Sequence, residues 1–286
     1  MKEKFWRELL TNNYQEANVV VLGLPYDGAV SCGKGASLAP QVMRELSSYL
    51  PPVSYNGTIL KTKVFDFGDA YDFSKAEDDI KKVMENNKFK LIIGGDHSIS
   101  IKTQKAFIEY HQDKLVGIIH CDAHADLCDV YDDSKVSHAC VNRRALDSGL
   151  KDEDIAYIGN RSWEIQELEY YSQHSEILSL PMHKIKALGL NKSIELVNNK
   201  FKDYDAIYLS VDIDSLDPSY APGTGTPEAG GFSSFELMEF VKAVVDKLNV
   251  KALDVVEVSP PLDINNITSW AALKLIYEVF YCLDKK

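Results

Sequence analysis

Short runs that are apolar on both faces of a strand constrain this chain more than any other feature. Val19-Val20-Val21-Leu22 and Leu91-Ile92-Ile93 contain no polar residue. Such strands must be covered above and below, as happens when helices sandwich a parallel sheet. Strands are expected at 18–24, 63–67, 90–93, 115–121, 155–158, 206–211 and 251–258. Between them, apolar residues recur at helical spacing over 40–50, 75–86, 100–111, 163–171, 190–199, 234–248 and 267–283. The alternation predicts an α/β fold, a three-layer α/β/α sandwich with a mostly parallel central sheet. At 286 residues and 45% hydrophobic composition the chain can bury one large core. No internal repeat or low-complexity linker interrupts it, so residues 1–286 read as a single domain.

Several function classes are excluded by composition. The formal net charge is −12, with no dense lysine or arginine run, which argues against nucleic-acid binding. No apolar stretch reaches membrane-spanning length, and the N-terminal Met1-Lys-Glu-Lys-Phe-Trp-Arg has no signal-peptide character. The expectation is a cytoplasmic protein without a membrane partner. Five cysteines lie scattered with no Cys-x-x-Cys pair, so neither a disulfide framework nor a thiolate zinc site is indicated.

In parallel α/β sheets ligands bind beyond the carboxyl ends of the strands. Polar clusters sit there: Gly94-Gly95-Asp96-His97-Ser98, Asp122-Ala123-His124-Ala125-Asp126, Asp212-Ile213-Asp214, and Glu257 after Leu253-Asp254-Val255-Val256. In extended backbone, Asp122, His124 and Asp126 would point one way, and so would Asp212 and Asp214. Acidic stripes brought together repel unless cations neutralise them. Four aspartates match the charge of two divalent ions. Histidines and carboxylates without thiolate suit Mn(II), ahead of Fe(II), Co(II) or Zn(II). Two such ions roughly 3.5–4 Å apart can share a water and lower its pKa. One Asp-x-His or Asp-x-Asp at a strand end is most often structural, whereas clusters at successive strand ends favour a binuclear hydrolytic site. The substrate does not follow from this spacing.

The clusters at 94–98 and 122–126, with Ser-Val-Asp-Ile-Asp-Ser-Leu-Asp-Pro (210–218), Gly-Thr-Gly-Thr-Pro-Glu-Ala-Gly-Gly (223–231) and Asp-Val-Val-Glu-Val-Ser-Pro-Pro (254–261), resemble the ureohydrolase (arginase/agmatinase) family, and within it the agmatinase branch. The resemblance implies an arginase-like fold and two Mn(II) ions. His97, Asp122, Asp126 and Asp212 would hold one ion, and His124, Asp122, Asp212 and Asp214 the other. It implies that a shared hydroxide attacks the guanidinium carbon and that Asp126 relays the proton of the attacking water. Glu257 would grip the guanidinium of a small cationic substrate, and His138 would protonate the leaving amine. It also implies a homo-oligomer, a trimer or a hexamer.

Where arginine-specific members carry an asparagine, this chain has Cys128. That departure favours a substrate without an α-carboxylate: agmatine, yielding putrescine and urea. The alternatives are another guanidino-acid amidinohydrolase, such as a guanidinobutyrase, or an arginase. From other classes come a single-zinc deacetylase of the same fold and a non-catalytic binding relative. The segment Gly159-Asn160-Arg161-Ser162 replaces the usual Gly-Ile-Arg-Ser. Trp163, Glu164 and the acidic Asp129-Val-Tyr-Asp-Asp are candidates for the distal end of the substrate. His120 reads as a buried hydrogen-bonding histidine, Asp96 as an outer partner or helix cap, Asp217 as turn chemistry, Asp254 as structural, and His111, His174 and His183 as surface residues.

Overall fold

The computed structural model describes residues 5–286; residues 1–4, which begin the N-terminal segment read above, lie outside the described residues. The apolar runs pair side by side. Among the described residues there are eight strands: β1 (Val19–Gly23), β2 (Val64–Asp69), β3 (Phe89–Ile93), β4 (Val116–Cys121), β5 (Ile155–Ile158), β6 (Leu178–Leu180), β7 (Ala206–Asp212) and β8 (Val250–Val256). They form one sheet in the order β2-β1-β3-β8-β7-β4-β5-β6, and every neighbouring pair is parallel.

Among the described residues nine α-helices cover it: α1 (Ala39–Ser47), α2 (Glu77–Met84), α3 (Ile99–Tyr110), α4 (Val141–Asp147), α5 (Ile165–Gln173), α6 (Met182–Leu188), α7 (Leu190–Phe201), α8 (Ser234–Lys247) and α9 (Ile267–Leu283). Alternation within the strands divides them between two cores. Val19, Val21, Leu91, Ile93 and Ile119 pack with Met43 of α1, Ile185 of α6, Val197 of α7, Phe240 of α8 and Phe280 of α9. Val20, Leu22, Ile92 and Ile118 pack on the other face with Val83 of α2, Phe107 of α3 and Ala145 of α4, flanked by Tyr170 and Tyr171 of α5. Each buried Val, Leu, Ile or Phe contributes about 1.5–3 kcal/mol relative to exposure. That is why the two-faced apolar runs dictate three layers.

Three elements escape the apolar pattern. β6 is the three-residue Leu-Ser-Leu at the sheet edge, and α4 and α6 have seven residues each. None is long enough for a period to emerge above chance. The sheet is also more uniform than expected, parallel throughout. His111, expected at the surface, is buried instead. Its ring sits against Phe107 with centroids 4.4 Å apart, Nδ1 lies 2.9 Å from the Phe107 carbonyl oxygen, and burial holds the imidazolium down. No helix among the described residues is long and apolar enough to cross a membrane.

The topology brings β3, β8, β7 and β4 next to one another. The four polar clusters follow these four strands, so they emerge side by side at one end of the sheet.

A buried ion cluster ties α1 to β2. The Arg44 guanidinium donates to both Asp66 oxygens, at 2.8 and 2.9 Å, and also to Asp69 and the Gly68 carbonyl oxygen. Trp6 Nε1 donates to the same Asp66 carboxylate at 2.7 Å. Arg44→Met strands two buried carboxylates, and removing one partner of such a pair costs roughly 3–5 kcal/mol. Urea denaturation is expected to show that loss. A change below about 1 kcal/mol would mean the cluster is not holding the layer.

Candidate metal centre

The backbone around the site departs from extended geometry at the positions that matter. β4 ends at Cys121, and Asp126 adopts φ 50°. The simple alternation expected for Asp122, His124 and Asp126 therefore does not operate. The segment is held from outside instead: Asn142 donates from its backbone N to Asp126 O at 2.9 Å and from Nδ2 to Ala125 O at 2.7 Å. Asn160 Nδ2 donates to the carbonyls of His124 and Asp122. Asp212 closes β7, and Asp214 lies on a 3-10 turn, Ile213–Ser215, whose first amide pairing is Asp214 N to Asp212 Oδ1 at 2.8 Å. Glu257 is also left-handed, at φ 60°. Its N–H donates to Gly95 O at 2.8 Å, and its Oε1 accepts from His97 N at 2.8 Å. A Cβ on Gly95 would lie 1.7 Å from the Tyr26 carbonyl oxygen, so only glycine admits this approach. Left-handed non-glycine residues cost free energy and persist where surrounding structure over-determines them.

These departures make the side chains converge. Nδ1 of His97 lies 3.1 Å from Asp122 Oδ2, 3.0 Å from Asp126 Oδ2 and 3.1 Å from Asp212 Oδ2. Nδ1 of His124 lies 3.0 Å from Asp214 Oδ2 and 3.4 Å from Asp122 Oδ1. Asp122 thus belongs to two groups, His97–His120–Asp122–Asp126 and Asp122–His124–Asp214, whose donor atoms lie within 4.8 Å of one another in each. His120 stands nearer the cluster than its sequence position suggested. Its Nε2 is 3.0 Å from Asp122 Oδ2, and its ring stacks on His97 with centroids 4.9 Å apart.

The electrostatics follow. Burial, then the Asp214 and Asp122 charges, push the Asp212 carboxyl well above the usual range, and burial with Asp122 raises Asp214. Burial would lower the His97 imidazolium, but Asp122, Asp126 and Asp212 outweigh it and lift it well above its ordinary value. Burial likewise works against the charge on Asp122, yet His120, His124 and His97 hold that carboxyl well below. Positive charge is what the cluster demands. His97 Nδ1, both His120 nitrogens and Asp122 Oδ2 are buried without a hydrogen-bond partner, so the donor set fits divalent cations.

A cavity of about 320 Å³ opens beside the cluster. His124, Asp126 and His138 line it together with Tyr131, Trp163, Glu164, Glu167 and Glu228. No lysine or arginine is among its lining residues. Nδ1 of His138 lies 3.8 Å from Glu257 Oε1. Glu167 accepts from Leu127 N and Glu164 N, both at 2.9 Å, and burial pushes its carboxyl up to about 7. Asp132 and Asp133 do not line the cavity, and Asp129 pairs with Arg144 at 2.6 Å. Cys128 is buried outside the cavity.

Sequence reading missed the parts that shape these loops. Asn142 lay in an unrecognised helix, and Arg161 was noted only as part of an altered motif. The Arg161 guanidinium donates to the carbonyls of Gly159, Asp214, Leu216, Glu228 and Ala229. It fastens the 226–231 loop to the turn carrying Asp214. An arginine amid glycines and small residues was the available signal, but its six acceptors, Ser215 O among them, are all backbone atoms and leave no trace in sequence.

Residues 17–282 match the family model described as Arginase family. The chain belongs to the arginase family. An agmatinase of Bacillus cereus is 32% identical over 280 residues, covering 93% of this chain and 92% of that one. The N(1)-aminopropylagmatine ureohydrolase of Thermococcus kodakarensis is 30% identical, covering 92% and 90%. The solved structure of proclavaminate amidino hydrolase from Streptomyces clavuligerus superposes with a TM-score of 0.89 at 30% identity, covering 100% of this chain and 98% of that one. As an arginase-family ureohydrolase, this chain is a hydrolase acting on amidino C–N bonds, and its buried histidine–aspartate cluster fits a metal site.

Asp122→Asn tests the cluster directly. After reconstitution with a divalent metal and desalting, its affinity should fall by more than the roughly 10–100-fold typical of an outer-shell loss. Far-UV circular dichroism of the metal-free protein should stay unchanged. Undiminished metal content by elemental analysis would rule Asp122 out as a ligand.

Proposed function

We propose that this arginase-family member hydrolyses agmatine to putrescine and urea with two Mn(II) ions. His97, Asp122, Asp126 and Asp212 would hold one ion, and His124, Asp122, Asp212 and Asp214 the other. The observation that carries the substrate choice is the cavity lining: three glutamates, Glu164, Glu167 and Glu228, and no lysine or arginine. A distal ammonium suits that surface, and a distal carboxylate does not. The Arg161 guanidinium is turned to backbone carbonyls and is not among the residues lining the cavity.

When bound, the ions supply Lewis acidity and an acidified water. The remaining work belongs to side chains. Glu257 pairs with the guanidinium, which places the scissile carbon beside Asp126. Asp126 accepts the proton of the attacking water. His138, close to Glu257 and lining the cavity, protonates the departing amine, which could not leave as an anion. Tyr131 and Trp163 cover the methylene chain. The same reading includes a single domain over 1–286 and a cytoplasmic homo-oligomer, trimer or hexamer, on family resemblance.

A guanidino-acid amidinohydrolase is the second reading, favoured by likeness to the proclavaminate amidinohydrolase of Streptomyces clavuligerus. A urea assay with agmatine, N(1)-aminopropylagmatine, guanidinobutyrate and arginine decides between them. With Mn(II), kcat/KM for agmatine should exceed that for guanidinobutyrate by at least about 100-fold, since setting like charges together costs several kcal/mol. Turnover of carboxylate-bearing substrates alone would remove the agmatine assignment.

A further inference from the structure

His97 turns Nδ1 toward three carboxylates, so its other nitrogen determines what Nδ1 can be. Nε2 lies 2.9 Å from Ser210 Oγ, in a fully buried contact. Ser210 Oγ in turn donates to Asp254 Oδ1 at 2.7 Å. Asp254, with no exposed surface, also accepts from Val211 N at 3.3 Å, Ser100 Oγ at 2.6 Å and Tyr208 OH at 2.8 Å.

A serine hydroxyl has one proton to give. At Ser210 that proton goes to Asp254, so toward His97 the oxygen only accepts. Nε2 must then carry a ring proton, so Nδ1 is the nitrogen left to offer a lone pair once a cation takes the place of its proton. We propose that Ser210 and Asp254 are positioning residues that lock His97 in its Nε2–H tautomer and thereby present Nδ1 as a metal ligand. This rests on the metal reading above. Stacking of His97 on His120 at 17° between ring planes adds resistance to a ring flip. The pair on β7 and β8 thus acts on the cation held at His97, not on the one at His124, whose ring lines the cavity.

Asp254→Leu removes the acceptor at nearly unchanged volume. The Ser210 hydroxyl proton is then free to turn toward Nε2, which favours the tautomer that cannot ligate. Loss of the correct tautomer at otherwise intact geometry is known to be severe in histidine-dependent sites. Ser210→Ala leaves the tautomer unset. Ser100→Ala removes one donor to Asp254 and leaves the His97 arm in place.

Zn(II) competition against a chelator reads the outcome, with the thermal midpoint of the metal-free protein as the folding control. Asp254→Leu and Ser210→Ala should each weaken one of two bound Zn(II) ions by about 10–100-fold, and Ser100→Ala by less than about twofold. Nitrogen-15 spectra of the Zn(II)-loaded wild type with labelled histidine should place the His97 ring proton on Nε2. Wild-type affinity for both ions in a Ser210→Ala protein of unchanged midpoint, or a ring proton on Nδ1, overturns the inference while the metal reading stands. A wild type that takes up no Zn(II) and no Mn(II) overturns both.

Discussion

Asp122, Asp126, Asp212, Asp214 and Glu257 are all buried at one end of the sheet. Two unit charges 4 Å apart repel by roughly 4 kcal/mol at an effective dielectric near 20. A cluster of five carboxylates survives only if something positive stands among them. The protein supplies part of that through imidazoles: His97, His120 and His124 each lie within 3.4 Å of Asp122. Protons on those rings, or divalent cations in their place, are what make the end of this sheet stable. The strand order, the glycine at 95 and the left-handed backbone at Asp126 and Glu257 all serve to keep that charge problem, and its solution, in one place.

How much of this could be read from the chain depends on which force writes it. Apolar burial is written residue by residue, so Val19–Leu22 and Leu91–Ile93 announced strands covered on both faces. Chemistry-bearing clusters at strand ends were legible for the same reason, because the sheet fixes where its strands end. Strand order was not legible. Nothing local says that β8 and β7 insert between β3 and β4, and only that insertion makes His97, Glu257, Asp212 and Asp122 neighbours. Period-two alternation gave an attractive account of Asp122–Asp126, but the strand stops at Cys121 and the convergence comes from Asn142 and Asn160 gripping carbonyls. Interactions with backbone atoms carry no compositional mark, and hence these asparagines looked ordinary.

Two kinds of acid share the site region and behave differently. The buried aspartates are locked into short contacts, and their charge state follows whatever cation they face. The cavity glutamates stand further out, with Glu167 poised by burial to about 7. In the function proposed above, the first set carries the chemistry and the second selects the ligand. This separation matches the family membership: relatives named for different substrates share one fold, to a TM-score of 0.89 for one solved example.

Arg161 limits how independent those two sets can be. By holding the carbonyls of Glu228 and Ala229 together with those of Asp214 and Leu216, it makes the rim and the inner turn a single mechanical unit. A substitution that reshapes the loop near Glu228 is therefore transmitted to the aspartate beneath it, and a new specificity gained there comes with a disturbed reaction centre. The opposite wall is tied in by a different atom pair: Glu167 of α5 accepts from Leu127 N, next to Asp126, and from Glu164 N. Both walls of the cavity are therefore coupled to the aspartates beneath them, and divergence toward other ligands has to accommodate that coupling whichever wall it alters.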